Sequence, residues 1–158
     1  MYDSEQDLLD ALRATPDVLD SLVGQYTPEQ ARAIRSGDEG WTAVEIICHL
    51  RDAEERAVER MTAMRDQEQP FLPGYDQEVW ARERNYAAQD LVNALADFKR
   101  YRAQHVAALA GLSRPQWQRL GWHAEFGEIT IFSHALHIAA HDLIHAAQLA
   151  RGLRRSQA

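Results

Sequence analysis

The run from Thr130 to about Leu153 constrains this chain more than any other stretch. It carries four of the seven histidines, His134, His137, His141 and His145, spaced three, four and four residues apart, with Gln148 following. An α-helix turns about 100° and rises about 1.5 Å per residue. On that wheel His134, His141, His145, Gln148 and Gly152 fall in one narrow stripe, with His137 at its edge. Thr130 supplies an N-cap and Gly152 lies near the end. Two imidazoles four residues apart on one helix face can reach a common metal ion. The helix therefore reads as one wall of a metal site, and the facing wall must come from upstream.

Upstream, the apolar pattern is helical almost throughout. Ser4 caps a first helix carrying Leu8, Leu9 and Leu12 at helical spacing. Pro16 lacks an N–H and crowds the preceding turn, so the segment is expected to kink or restart there, with Thr15 as cap. Thr27-Pro28-Glu29-Gln30 has the form of a capping box and starts a short helix. Arg35 to Gly40 reads as loop. A second long helix begins at Thr42, boxed by Glu45, with Trp41 and Ile46 placed as a hydrophobic staple. Its core stripe is Ile46, Leu50, Ala53, Ala57, Met61 and Met64, the methionines being core filler. His49 looks into the bundle from the margin of that stripe. Glu45 and Asp52 read as a solvated edge, with Asp52 within reach of an outer position around His49.

Gln69 to Gly74 breaks the pattern as a loop. Asp76 caps a short helix holding Val79 and Trp80. A third long helix is expected from about Ala88 to Ala110, ended by Gly111. Ser113-Arg114-Pro115 opens a short turn holding Trp117. Gly121 to Glu128 reads as ordered loop or short extended chain. Four long helices with almost no strand pattern predict an all-α fold, an antiparallel-type four-helix bundle in one domain over residues 1–158, with short extra helices in the loops.

Bundles build metal sites from inward side chains on facing helices. His49 with a histidine pair of the last helix supplies three imidazoles. Helix geometry favours His141 with His145, although His134 with His137, or His137 with His141, also meets the steric demand. His137 then stands at the site's edge, and Gln148 is placed to hydrogen-bond a ligand histidine or a bound water. Three neutral histidines suit Zn²⁺, Ni²⁺, Fe²⁺ or Co²⁺ and leave a position open for water or substrate. Such a set leaves the ion's charge unquenched, so the expected reactive group is a metal-bound water or thiol. His105 and His123 read as hydrogen-bonded structural residues. Cys48 forms no dyad with His49, because adjacent helical residues point about 100° apart.

Other functions are disfavoured. The formal net charge of −7 argues against a nucleic-acid surface, which needs clustered Lys and Arg. Arg151, Arg154 and Arg155 instead oppose the negative end of the last helix's dipole. One cysteine permits no intramolecular disulfide and fits a reducing compartment. No apolar run nears the roughly 20 residues that span a bilayer. The start, MYDSEQDLLDALR, lacks the basic region of a signal peptide. A cytoplasmic protein is the expectation.

Two segments carry a resemblance. Residues 41–50, Trp41-Thr42-Ala43-Val44-Glu45-Ile46-Ile47-Cys48-His49-Leu50, resemble the Trp-Ser/Thr-x-x-Glu-x-x-x-His-Leu segment of the DinB/YfiT-like superfamily. Residues 137–148 resemble its last-helix pattern, His-x-x-x-His-x-x-x-His-x-x-Gln, here His137, His141, His145 and Gln148. The order and spacing of the intervening elements extend the resemblance over essentially the whole chain. It implies a four-helix bundle and a divalent metal, zinc or nickel first, with iron, cobalt or manganese as alternatives. The implied ligands are His49, His141 and His145. It also implies a homodimer acting on a small-molecule substrate, and it says nothing of DNA binding.

Some relatives transfer a low-molecular-weight thiol such as bacillithiol or mycothiol, and related maleylpyruvate isomerases use a thiol cofactor. A metal-dependent thiol S-transferase is thus the first expectation, with Arg56 or Arg102 as candidate anchors for an anionic thiol. A hydrolase is second, because it wants a carboxylate base and the last helix offers only Asp142, which points away from the ligand stripe. A non-enzymatic metal-binding or stress-response interaction protein, or a pH-sensing histidine cluster, is the contrasting class.

Overall fold

The computed structural model describes residues 4–157. Met1–Asp3, at the head of the non-basic start read above, and Ala158 lie outside the described residues. Four long helices form a bundle: α1 (Glu5–Val23), α3 (Ala43–Asp66), α5 (Leu91–Ala110) and α7 (Ile131–Ser156). Three short helices, α2 (Pro28–Ala33), α4 (Gln77–Glu83) and α6 (Arg114–Trp117), sit in the connections. The bundle is not wound in sequence order. α3 packs on α5 and α7, and α1 packs on α7 and α5. Consecutive long helices α1 and α3 therefore face each other across the diagonal, as do α5 and α7.

Most helix starts follow the local chemistry. The Thr42 hydroxyl accepts from the Glu45 amide at 3.3 Å while the Glu45 carboxylate accepts from the Thr42 amide at 2.8 Å, the reciprocal box that satisfies two orphan donors. Thr130 caps α7 through Ser133, and Thr27 caps α2 through Gln30. The third long helix begins later than Ala88. Tyr86–Ala88 form a 3-10 turn that buries Tyr86, and Asp90 then caps α5 by accepting from the Asn93 amide at 2.8 Å.

α1 runs unbroken through Pro16, against expectation. The proline removes the donor that the Leu12 carbonyl would receive from four residues on. A long-range donor replaces it, for Arg102 on α5 reaches that carbonyl at 3.1 Å. Gly152 lies near the end of α7, which continues to Ser156. Its missing side chain admits Tyr26, whose hydroxyl lies where a Cβ would stand and donates to the Leu149 carbonyl at 2.5 Å.

The core comes in two apolar halves. One gathers Leu8, Leu12, Met61, Met64, Leu109 and Ile131; the other gathers Leu19, Ile46, Leu50, Phe98 and Leu149. Between them lies a fully buried charged layer. Arg102 donates to both Glu54 oxygens at 2.8 Å, touches Asp142 at 2.8 Å, and Glu54 also bonds His105 Nδ1 at 2.7 Å. A buried guanidinium is tolerable only when paired in this way. Arg102 is thus structural and not an anchor for an external anion. Asp52 is likewise no solvated edge. It is buried, accepts from the Tyr86 hydroxyl at 2.6 Å, and pairs with Arg51 and Arg84 at 2.8 and 2.9 Å.

The extended reading of Gly121 to Glu128 becomes a small sheet. β2 (Leu120–His123) and β3 (Gly127–Thr130) form an antiparallel hairpin, turned at Gly127 with φ of 72°. The loop expected at Gln69 to Gly74 contributes β1 (Phe71–Leu72), parallel to β2. Gly121 lets β2 lie directly on α3, since a Cβ there would stand 2.8 Å from Met64 Cγ. Arg119 pins the junction by donating to the Met64 carbonyl at 2.7 Å. The hairpin tip, Ala124 to Phe126, is thereby fixed against the bundle.

Candidate metal centre

α3 and α7 bring three histidines together. His49 Nε2 stands 2.9 Å from His141 Nε2, and His145 Nε2 stands 3.1 Å from the same atom. One nitrogen of each ring lies within 4.8 Å of the others. His141 and His145 are one turn apart on α7, and His49 faces them from the second turn of α3. Trp41 packs edge-on against His49 at 4.9 Å, closing its outer side. His49 and His145 are buried, while His141 is half-buried.

The protonation chemistry of the cluster is legible from its partners. His145 Nδ1 lies 2.7 Å from Gln148 Oε1, and an amide oxygen only accepts. The proton therefore sits on Nδ1, and the Nε2 lone pair points into the cluster. Burial first, then the neighbouring imidazoles, pushes His49 down to about 2 and His141 down to about 3. Burial lowers His145 as well. All three rings are neutral across the physiological range, the form that binds a metal.

The residues fit a divalent cation. Three neutral imidazoles left alone would crowd three ring nitrogens with too few protons to bond them all. A tetrahedral ion at about 2.0–2.1 Å from each nitrogen would set them about 3.3 Å apart, close to the spacing seen. Among the described residues no carboxylate joins the cluster, so the three histidines would leave the ion's charge unquenched and a position open.

The other histidines are distributed differently. His137 is exposed, its ring 6.3 Å from that of His141 and 5.0 Å from that of Phe126. His134 is buried away from the triad, with Nε2 unpartnered, and His105 belongs to the charged layer. Asp142, next to His141 in sequence, turns to Arg102.

A cavity of about 550 Å³ opens beside His49 and His141. Several of its residues were not singled out from the sequence. The hairpin contributes His123, Glu125 and Phe126, α3 contributes Arg60, and Tyr75 and Asp76 close the rim. The carboxylates missing from the last helix thus arrive from elsewhere, Glu125 among them. The cavity's cation is Arg60, whereas Arg56 bonds Glu59 at 2.6 Å. Arg60 lies about 20° around the helix from His49 by the turn per residue, a signal present in the sequence. The hairpin residues had no such local signal, because their place depends on β1 pairing across the fold.

The sequence profile of the DinB superfamily matches residues 11–149. The chain belongs to the DinB superfamily. The chain is similar to YfiT of Bacillus subtilis (strain 168), described as a probable metal-dependent hydrolase, with 25% identity over 118 residues, which cover 72% of this chain and 66% of YfiT. The matched stretch is thus just under two thirds of that relative's length. The solved structure of YfiT superimposes with a TM-score of 0.89 at 23% identity, over 99% of this chain and 90% of that one. It is described as having an unusual four-helix bundle topology, and this DinB chain has the same fold.

Proposed function

We propose that this DinB-family chain is a metal-dependent enzyme in which His49, His141 and His145 hold one divalent cation, zinc or nickel by ligand chemistry, and the adjoining cavity receives a small-molecule substrate. The convergence of three Nε2 atoms, with the His145 tautomer set by Gln148, carries this reading. When bound, such a cation supplies Lewis acidity and lowers the pKa of a water or thiol at its open position.

Hydrolysis is the preferred reaction. Glu125 on the cavity wall is a carboxylate able to take up a proton there, which removes the objection raised from the last helix alone. The description of YfiT as a probable metal-dependent hydrolase agrees with it. Thiol transfer is the second reading, and Cys48 is not its thiol: burial pushes this only cysteine up to about 11. Any thiol chemistry here would use an external low-molecular-weight thiol. The homodimer implied by the resemblance and the cytoplasmic location expected from the sequence belong to the same proposal, and sedimentation of the purified protein tests the former.

The deciding experiment is elemental analysis of untagged protein with the variants His49→Ala, His141→Ala and His145→Ala. About one ion per chain, lost in each variant, supports the site. The loaded protein is then offered esters and amides in one assay and a free thiol with an electrophile in another. No ion, and none taken up from added Zn²⁺ or Ni²⁺, would overturn the reading and leave a structural or pH-sensing histidine cluster.

A further inference from the structure

The cavity beside the triad holds a cation that the proposed chemistry does not use. Arg60 is half-buried, and its Nε is fully buried with no hydrogen-bond partner. Its one hydrogen bond among the described residues runs from Nη2 to the Pro73 carbonyl at 2.7 Å. Among the described residues no carboxylate forms a salt bridge with it. A guanidinium so placed keeps unused donors, which favour an anionic group arriving from outside.

Two neighbours add donors. His123 Nδ1 accepts from the Glu125 amide at 3.1 Å, so the neutral ring carries its proton on Nε2. Tyr75, stacked on Trp80 at 4.3 Å, lines the same cavity and keeps its phenolic proton because burial raises its pKa. The rim also bears Asp76, Glu78 and Glu125. These carboxylates penalise a second negative charge on the ligand, so a dianion is disfavoured relative to a monoanion. A planar guanidinium flanked by neutral donors matches the two oxygens of a carboxylate.

The helix sets the spacing. Arg60 follows His49 by eleven residues on one face of α3, a rise of about 16 Å between Cα atoms. Both side chains lean towards the N-terminus, and the arginine reaches further. The guanidinium therefore stands somewhat less than that rise from the triad. An aromatic row, His123, Phe126, His137 and His141, with successive ring separations of 4.6, 5.0 and 6.3 Å, bridges that interval.

We propose that Arg60, His123 and Tyr75 form a carboxylate-binding subsite, so that the substrate is a small molecule bearing one carboxylate set apart from the group presented to the triad. The spacing rests on the triad being the reactive centre; the subsite itself does not.

Two measurements test it. On zinc-loaded protein, ω-carboxyalkyl hydroxamates of graded chain length are titrated calorimetrically beside their methyl esters and the matching phosphonates. The expected result is at least tenfold tighter binding of the acid than of its ester, best at one chain length of the series. Arg60→Gln should abolish that advantage without changing zinc content or ester affinity. Equal affinity of acid and ester overturns the subsite, and tighter binding of the phosphonate overturns the carboxylate assignment.

On zinc-free protein, the Arg60 Nε–H resonance, identified by its absence in Arg60→Gln, should shift saturably with the monocarboxylate butyrate and not with chloride at equal ionic strength. Failure to shift overturns the subsite whether or not zinc binds. A saturable shift in a protein that takes up no metal upholds it while the metal-centre reading falls.

Discussion

Arg102 on α5 donates to the Leu12 carbonyl on α1 at 3.1 Å, the very acceptor that Pro16 leaves without an intrahelical donor. One side chain thus repairs a helix 90 residues away in sequence while it neutralises Glu54 on α3 and touches Asp142 on α7. Arg102→Met should cost about 3–5 kcal/mol, because it strands a buried carboxylate. Adding Pro16→Ala restores an N–H for Leu12 and should recover about 1 kcal/mol of that loss. Urea denaturation of the two single variants and the double variant reads the coupling; additive losses would mean that the carbonyl finds no benefit from the new amide.

Gln148 fixes the proton of His145 through its side-chain oxygen. Gln148→Leu should weaken zinc or nickel binding about 10–100-fold, the usual effect of losing a partner behind a ligand histidine. Gln148→Glu keeps an acceptor there and should retain affinity. Competition against a chromophoric chelator measures both; equal weakening by the two variants would point to packing and not to the tautomer.

Acid should destabilise the metal-free protein from about pH 6.5 downward. Burial, with a smaller push from His105, holds His134 down to about 3. Between about 6.5 and 3 the unfolded chain binds a proton that the folded chain refuses, so stability falls as pH falls. Burial would raise Glu54, but Arg102 and His105 overcome it and hold the carboxyl down to about 2. Its contribution is present above the unfolded value of about 4.5 and is lost as pH drops towards 2. Replacing His134 with Leu should flatten the upper part of the decline by at most about 1.4 kcal/mol per pH unit. Urea midpoints at pH 7.5, 6.5 and 5.5, compared between wild type and variant, isolate His134 from the triad, which titrates in both.

Tyr26 occupies the space over Gly152. Gly152→Ala should cost about 1–3 kcal/mol by overpacking, despite alanine's better helix propensity. In a Tyr26→Phe background, where the hydroxyl is gone, the same change should be close to neutral. Thermal melts of the four proteins complete the cycle; an equal cost in both backgrounds would mean that the hydroxyl is not what alanine meets.

What the sequence made legible was local. Thr42 with Glu45, Thr130 and Gly111 marked helix ends because caps act within a few residues. The i, i+4 spacing of His141 and His145 and the placement of His49 identified the residues that α3 and α7 bring together. What it hid depended on distant partners. Pro16 looked like a break because its remedy is Arg102, and Asp52 looked solvated because Tyr86 and Arg84 cover it. The cavity wall was missed for the same reason: His123, Glu125 and Phe126 owe their position to the pairing of β2 with two residues of β1. Nothing in Phe71 and Leu72 alone announces a strand.

The diagonal placement of consecutive long helices has a consequence for how the chain reaches its native state. In a bundle wound in order, each long helix can dock on the one just synthesised. Here α1 must wait for α5 and α7, and α3 closes its half of the triad only against the last helix. Folding therefore depends on contacts of long sequence separation, which slow the search relative to other helical bundles of this size. On the ribosome α1 would remain without α7, one of its two main partners, until Ser156 had emerged.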